Sequence, residues 1–228
     1  MATSALLFLA LFARAHAATP PVFATEYSLN YIVTNEQYGF VAIGKWFVDH
    51  ENSKGQLNLR ERTHAGNATL HPTDVVKDYK AHMFFNVDDT MYPSSQGHAC
   101  FGSLPKNLTQ PAWSLPATAV NVAKRGAGYE RWRVFHASQR VCVDFFVAPA
   151  HGSVPRLPFQ LLYFGNCAGT TIGPAEVLAQ NNSYNGFAFE DQPSSLYTPP
   201  STAAPCDGET KQQREGEWLM TIRGDLVV

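Results

Sequence analysis

No G-x-S-x-G nucleophile elbow, H-E-x-x-H zinc helix, phosphate loop or dinucleotide fingerprint occurs in this 228-residue chain. That removes the short-motif routes to hydrolase, zinc-protease and nucleotide chemistry. Charge of one sign is missing too. The 17 Lys and Arg stand against 19 Asp and Glu without clustering, so no electrostatic case exists for nucleic acid or a membrane surface. After the N-terminus, no apolar run approaches the roughly 20 residues that a membrane-spanning helix requires, so no transmembrane anchor is expected. Cysteine is confined to Cys100, Cys142, Cys167 and Cys206, and no two of them have the C-x-x-C spacing common to metal and redox sites.

The opening MATSALLFLALFARAHA places an apolar run, 5–13, ahead of Ala15-His16-Ala17, a small-x-small cleavage pattern. Residues 1–17 are therefore expected to be a secretory signal peptide, 18–206 a single β domain and 207–228 a charged C-terminal tail. An even cysteine count behind such a leader implies two disulfides made in an oxidising compartment. Three N-x-S/T sequons, at Asn67, Asn107 and Asn181, lie in polar stretches and fit exposed glycosylated loops.

Period-two patterning dominates the rest. Residues 23–33 alternate Phe23, Thr25, Tyr27, Leu29, Tyr31 and Val33 against smaller or more polar neighbours, the signature of a half-buried strand. Further strands are expected over 40–49, 56–64 and 79–87. The proline-interrupted stretch 88–116 reads as a loop, with a brief pairing around Cys100 and Trp113 as its one large anchor. Residues 165–186 read as a Gly- and Asn-rich passage in which 174–180 is expected to form about two turns of helix after Pro174. Seven or more strands with so little helix imply an all-β fold, an antiparallel sheet curved into a barrel, half-barrel or sandwich.

The centre of the chain is 129–167. Three antiparallel strands are expected here, one over 129–136 and two from the apolar runs that flank the loop 149–158. A two-residue turn at Ala137-Ser138 would set Trp132 opposite Val143, Val134 opposite Val141 and Arg131 opposite Asp144. A symmetric hairpin over 149–158 would then set Cys142 opposite Cys167 and Phe145 opposite Phe164. That register favours a Cys142–Cys167 disulfide and leaves Cys100 for Cys206. It also gathers Trp132, Val134, Val143, Phe145, Leu162 and Phe164 on one apolar face, with Arg131, Arg133, Arg140, Asp144 and the two cysteines on the other.

Metal ligation has little support. His64 with His71, or His98 with Cys100, lacks ligand spacing, and Asn86, Asp88 and Asp89 suit a strand-end turn better than a calcium site. A hydrolytic triad from Ser138, His136 and Asp144 would have to form within a single hairpin. The aromatic residues carry more meaning, since a curved sheet of this size can enclose an apolar ligand.

Four features together resemble the ependymin and eukaryotic LolA-like proteins. They are an early aromatic strand followed by Gly44-Lys45-Trp46-Phe47-Val48-Asp49; Cys100 followed by Trp113; Trp132 with Val141-Cys142-Val143-Asp144-Phe145-Phe146 and Pro155-Arg156-Leu157-Pro158; and Phe187-Ala188-Phe189 with Pro193-Ser194-Ser195-Leu196-Tyr197 and Pro205-Cys206. The resemblance spans 23–206, and the four cysteines depart from the six of vertebrate ependymins. It implies a half-barrel enclosing a hydrophobic, lipid-binding cavity. The resulting expectation is a secreted glycoprotein without enzymatic activity or cofactor. It would take a lipid or other hydrophobic small molecule on the face bearing Trp132 and Phe145, and is compatible with a homodimer. The alternative is an extracellular interaction module, a β-sandwich with a solid core that uses loops 88–116 and 166–209.

Overall fold

Alternation and turn chemistry fix the strands. β1 (Glu26–Asn35) buries Tyr27, Leu29, Tyr31 and Val33 on one side. β2 (Phe40–Asp49), β3 (Lys54–Arg62), β4 (His71–Asp78), β5 (Met83–Asp88) and β6 (Ala99–Ser103) follow as an antiparallel meander. A second meander runs through β7 (Val120–Asn121), β8 (Glu130–His136), β9 (Val141–Val147), β10 (Pro158–Gly165) and β11 (Val177–Ala188). β1 and β11 pair antiparallel and join the two, while β12 (Ala204–Pro205) adds parallel to β6. A 3-10 turn, η1 (Ser194–Tyr197), is the one helical element among the described residues. This computed structural model describes residues 19–35, 40–50, 54–62, 71–88, 99–107, 110, 113–123, 126–149, 151–152, 155–198 and 203–205, with backbone alone at 40, 42, 54–62, 71–75, 86–88 and 99.

The strand order is β12-β6-β5-β4-β3-β2-β1-β11-β10-β9-β8-β7, one sheet with different strands at its two ends and hence not a closed barrel. The all-β expectation holds. The sandwich alternative lacks a second sheet among the described strands.

Several local expectations are corrected. Residues 79–82 form the turn between β4 and β5, with Ala81 N–H donating to Asp78 Oδ1 at 2.8 Å and His82 in the left-handed region, so the strand begins only at Met83. β4 had no counterpart in the sequence reading because its HPTDVVKD stretch is polar and contains Pro72. The helix expected over 174–180 is absent, and β11 begins at Val177.

The central hairpins keep their strands but not their registers. Ala137-Ser138 supplies neither Gly nor Asn for a primed two-residue turn, and the chain instead uses four turn residues, 137–140, ending in left-handed Arg140. Trp132 therefore faces Phe145, and Val134 faces Val143. The shift is two residues, so the faces survive. The next hairpin shifts by three: an irregularity between Pro158 and Gln160, where proline cannot donate to the ladder, sets Leu161 opposite Phe145 and Phe164 opposite Cys142. An odd shift inverts a strand. Leu161 and Tyr163 consequently join Trp132, Val134, Val143 and Phe145, and Leu162 and Phe164 turn to the opposite side.

The disulfide nevertheless forms as expected. Left-handed Asn166 turns the chain after β10 and returns Cys167 over Cys142, with a Cα–Cα distance of 5.9 Å. Closing this 25-residue separation stabilises the fold by about 3 kcal/mol. Cys100 is disulfide-bonded as well, and β12 brings Ala204 opposite it. Cys206, Asn67, 1–17 and 207–228 lie outside the described residues.

Registers carry the parity of β1 across the sheet. One face, here called aromatic, holds Tyr27, Trp46, Tyr184, Tyr163, Phe145 and Trp132 in a single buried cluster. β6 lies next to one end of the sheet and β7 at the other, so the strap that links them, 104–119, spans the sheet, and Trp113 within it packs on this face. On the opposite face, Tyr197 and Leu196 of η1 cover Val76, Phe85 and Phe101.

The inverted β10 has a direct test. Leu161→Ala is expected to cost about 2–5 kcal/mol in denaturant unfolding, and Leu162→Ala less than about 1.5. Equal losses would contradict the register.

Candidate functional site

The aromatic face carries the larger of the two buried apolar clusters among the described residues. Trp113, carried by the 104–119 strap, is half-buried at its centre. Its ring stacks on Tyr27 with centroids 5.4 Å apart and planes 8° apart, meets Trp46 edge-on at 5.4 Å and tilts against Tyr184 at 5.0 Å. Leu104 and Ala119, at the two ends of the strap, are buried, and Gln110 Nε2 donates to the Asp49 carbonyl at 3.3 Å. Beyond the strap, Phe23 from the segment before β1 stacks on Phe145 at 6.2 Å, and Ala24 N–H donates to the Arg156 carbonyl at 3.0 Å. The described residues that cover this face are therefore coil, anchored by aromatic contacts.

Within this apolar surface β11 lays a row of polar groups. Register sets Gln180 beside Tyr163, Asn182 between Val33 and Leu161, and Tyr184 beside Tyr31. Hydrogen bonds link them: Asn35 Nδ2 donates from neighbouring β1 to Gln180 Oε1 at 3.4 Å, and along β11 Gln180 Nε2 donates to Asn182 Oδ1 at 2.9 Å and Asn182 Nδ2 to Tyr184 Oη at 3.1 Å. Asn182 is fully buried. On the same face, the buried Tyr27 hydroxyl has no hydrogen-bond partner. Burial raises both phenols above the ordinary tyrosine range, Tyr27 further through its neighbour Tyr184, so both are neutral donors at physiological pH.

The opposite face carries a closed charge network. Arg133 and Asp144, both fully buried, form a bidentate pair at 2.6 and 2.9 Å. Arg133 Nη1 also donates to Glu176 at 2.8 Å, and Arg131 joins Asp144. The guanidinium of Arg133 lies over the Phe164 ring, 5.4 Å from its centroid. Cys142, Cys167 and Glu176 place their ligand atoms within 4.8 Å of one another, but the two sulfurs are bonded together, which leaves no metal-binding set.

Of the six residues expected to line an apolar site, the structure brings together Trp132, Val134, Val143 and Phe145. Leu162 and Phe164 belong to the opposite face. Among the triad candidates, Asp144 is committed to two arginines on that same face, whereas Ser138 and His136 are exposed at the hairpin turn. The side chains of His71, Asn86 and Asp88 are not described, and His64, His98 and Asp89 lie outside the described residues. Sequence reasoning missed Gln180, Asn182 and Tyr184 because VLAQNNSYNGFA is polar on both parities. The usable signal was Tyr184 two residues from Asn182, in step with the alternation of β1.

No protein-family model matches the chain, and no curated protein matches it. Among solved structures it is similar to an uncharacterized conserved protein from Thermus thermophilus, at 8% identity and a TM-score of 0.35, covering 79% of this chain and 90% of that one.

Acid should loosen the charge network. Burial pushes the Glu176 carboxyl up, but the bonds from Arg133 and the Gly173 N–H, with the charges of Arg133 and Arg131, outweigh it and hold it below its ordinary 4.5. A depressed folded value gives stability that is present above the unfolded value and lost as pH falls through the folded one. Glu176→Gln is expected to cost about 1–3 kcal/mol at neutral pH, and urea midpoints of variant and wild type should converge as pH drops below 4.5.

Proposed function

We propose that this protein is a secreted carrier or sensor that binds a lipid-like ligand without covalent chemistry, on the aromatic face and beneath the 104–119 strap, in a half-barrel of the LolA and ependymin kind. The observation that carries the reading is the cover. Among the described residues neither helix nor second sheet lies over the aromatic face; a coil does, and its central side chain, Trp113, is only half-buried. A solid core needs a regular layer against it. A coil held by three ring contacts can be displaced, since each contact contributes about 0.5–1.5 kcal/mol beyond area burial. Ligand hydrocarbon entering there would gain about 25 cal/mol per Å2 removed from water, before ordering costs.

Export is consistent with the rest of the chain. The Cys142–Cys167 disulfide belongs to an oxidising compartment, and among the described residues no helix is long and apolar enough to cross a membrane. Asn107 is exposed in a turn and suits a glycan. Asn181 differs from its expected loop setting: it lies within β11, half-buried, its Oδ1 accepting from Gln160 Nε2 at 3.0 Å.

Native mass spectrometry and solvent extraction of the secreted full chain should recover a bound amphiphile, and Trp113→Ala should speed its release by about tenfold, the equivalent of one such contact. Protein that carries no amphiphile and takes up none from mixed-lipid vesicles would refute the carrier. On intact mass, Asn107→Gln should lose one glycan, whereas Asn181→Gln should leave the glycan count unchanged.

A further inference from the structure

The polar row on β11 has a direction. Every bond in it runs from Asn35 toward Tyr184: amide to amide to amide to phenol. The Tyr184 oxygen accepts from Asn182, so its own proton remains to be donated, and successive bonds in such a chain polarise one another and strengthen the last donor. On the same face, the Tyr27 hydroxyl is buried and unpartnered. Both rings touch Trp113. Unpaired buried hydroxyls cost about 1–3 kcal/mol each and are uncommon without a role. Tyr27 thus offers a hydroxyl with no partner and Tyr184 one whose proton is uncommitted, on two rings packed against the same tryptophan.

We propose that Tyr27 and Tyr184 form a two-donor site for an uncharged oxygen acceptor, the ester or amide carbonyl of a neutral lipid, whose hydrocarbon lies along the aromatic face. The proposal rests on the lipid-binding reading above and narrows it. The described groups bonded to or stacked on the site, Asn182, Gln180, Trp46 and Trp113, are amides and indoles, none cationic. A carboxylate there would be buried without a counter-charge, which is far costlier than a carbonyl that accepts two hydrogen bonds. A site built to hydrogen-bond an oxygen also discriminates strongly against a ligand that lacks one, because its own donors are then left unpaired. Tyr27 and Tyr184 are thus specificity-determining residues, and Gln180 and Asn182 are positioning residues that act through Tyr184.

The test uses the full secreted chain stripped of endogenous lipid, with tryptophan quenching as the readout. Three brominated probes of equal chain length are compared: a monoacylglycerol, the free fatty acid and an alkane. Wild type should bind the monoacylglycerol at least tenfold tighter than the alkane, about one hydrogen bond's worth. Tyr27→Phe and Tyr184→Phe should each lower monoacylglycerol affinity about tenfold and leave the alkane unchanged. Tyr27→Phe should melt at or above the wild-type temperature, since it removes an unpartnered polar atom, and this separates lost recognition from lost folding. Asn182→Leu should weaken monoacylglycerol binding as Tyr184→Phe does; if it fails to fold, the two tyrosine variants decide. Equal wild-type affinity for monoacylglycerol and alkane would overturn the two-donor site and leave the carrier standing. Tightest binding of the fatty acid would overturn its preference for an uncharged oxygen. Binding of no probe would overturn the carrier and this proposal together.

Discussion

The pairing of β1 with β11 is the constraint on which the structure turns. It joins strands about 150 residues apart, Tyr31 to Tyr184 and Asn30 to Asn185, and fuses two independent meanders into one sheet. A bulge there is accommodated by Gly186, left-handed at φ 62, against which a side chain would collide with Asn30. Once the seam is made, β6 and β7 are held near opposite ends, and the chain between them has no course except across a face. The strap, its tryptophan and the covered aromatic surface all follow from that one antiparallel pair. Loop-closure entropy makes so distant a pairing slow to form, so the seam should appear late in folding, after local hairpins such as β8–β9.

The two faces solve burial differently. On the aromatic face, rings from β1, β2, β8, β9, β10 and β11 remove apolar surface from water. On the other, behind the same β8–β9 pair, a fully buried arginine and aspartate satisfy each other's hydrogen bonds beneath a loop tethered by Cys142–Cys167. Ion pairs of this kind add little net stability over apolar packing. Their effect here is on register: Arg133 directly opposes Asp144, and a slide of one residue would leave both charges buried alone.

Much of this was legible in the residues, and the exceptions have physical causes. β1 and β2 were plain because one parity is apolar throughout, and the bounds of β2 came out as read. The Cys142–Cys167 pair was anticipated for a partly mistaken reason, since Cys167 reaches Cys142 through the Asn166 turn and not by facing it in the ladder. Register failed where single residues override symmetry, at Arg140, which lengthens one turn, and at Pro158, which deforms the next strand. β4 and β11 were missed because strands inside a wide sheet need not look apolar when their neighbours supply the burial. The site followed the same rule: Trp132 and Phe145 advertised themselves, whereas Asn182 looks like a loop residue until Val33 and Leu161 are seen on either side of it.

Making the lid from coil has an evolutionary corollary. The described residues of the strap supply no strand to the sheet, so substitutions, insertions or deletions there leave the scaffold's backbone pairing untouched. Divergence can therefore alter what overlies the sheet by rewriting one short crossing, while the strand pairing below stays intact.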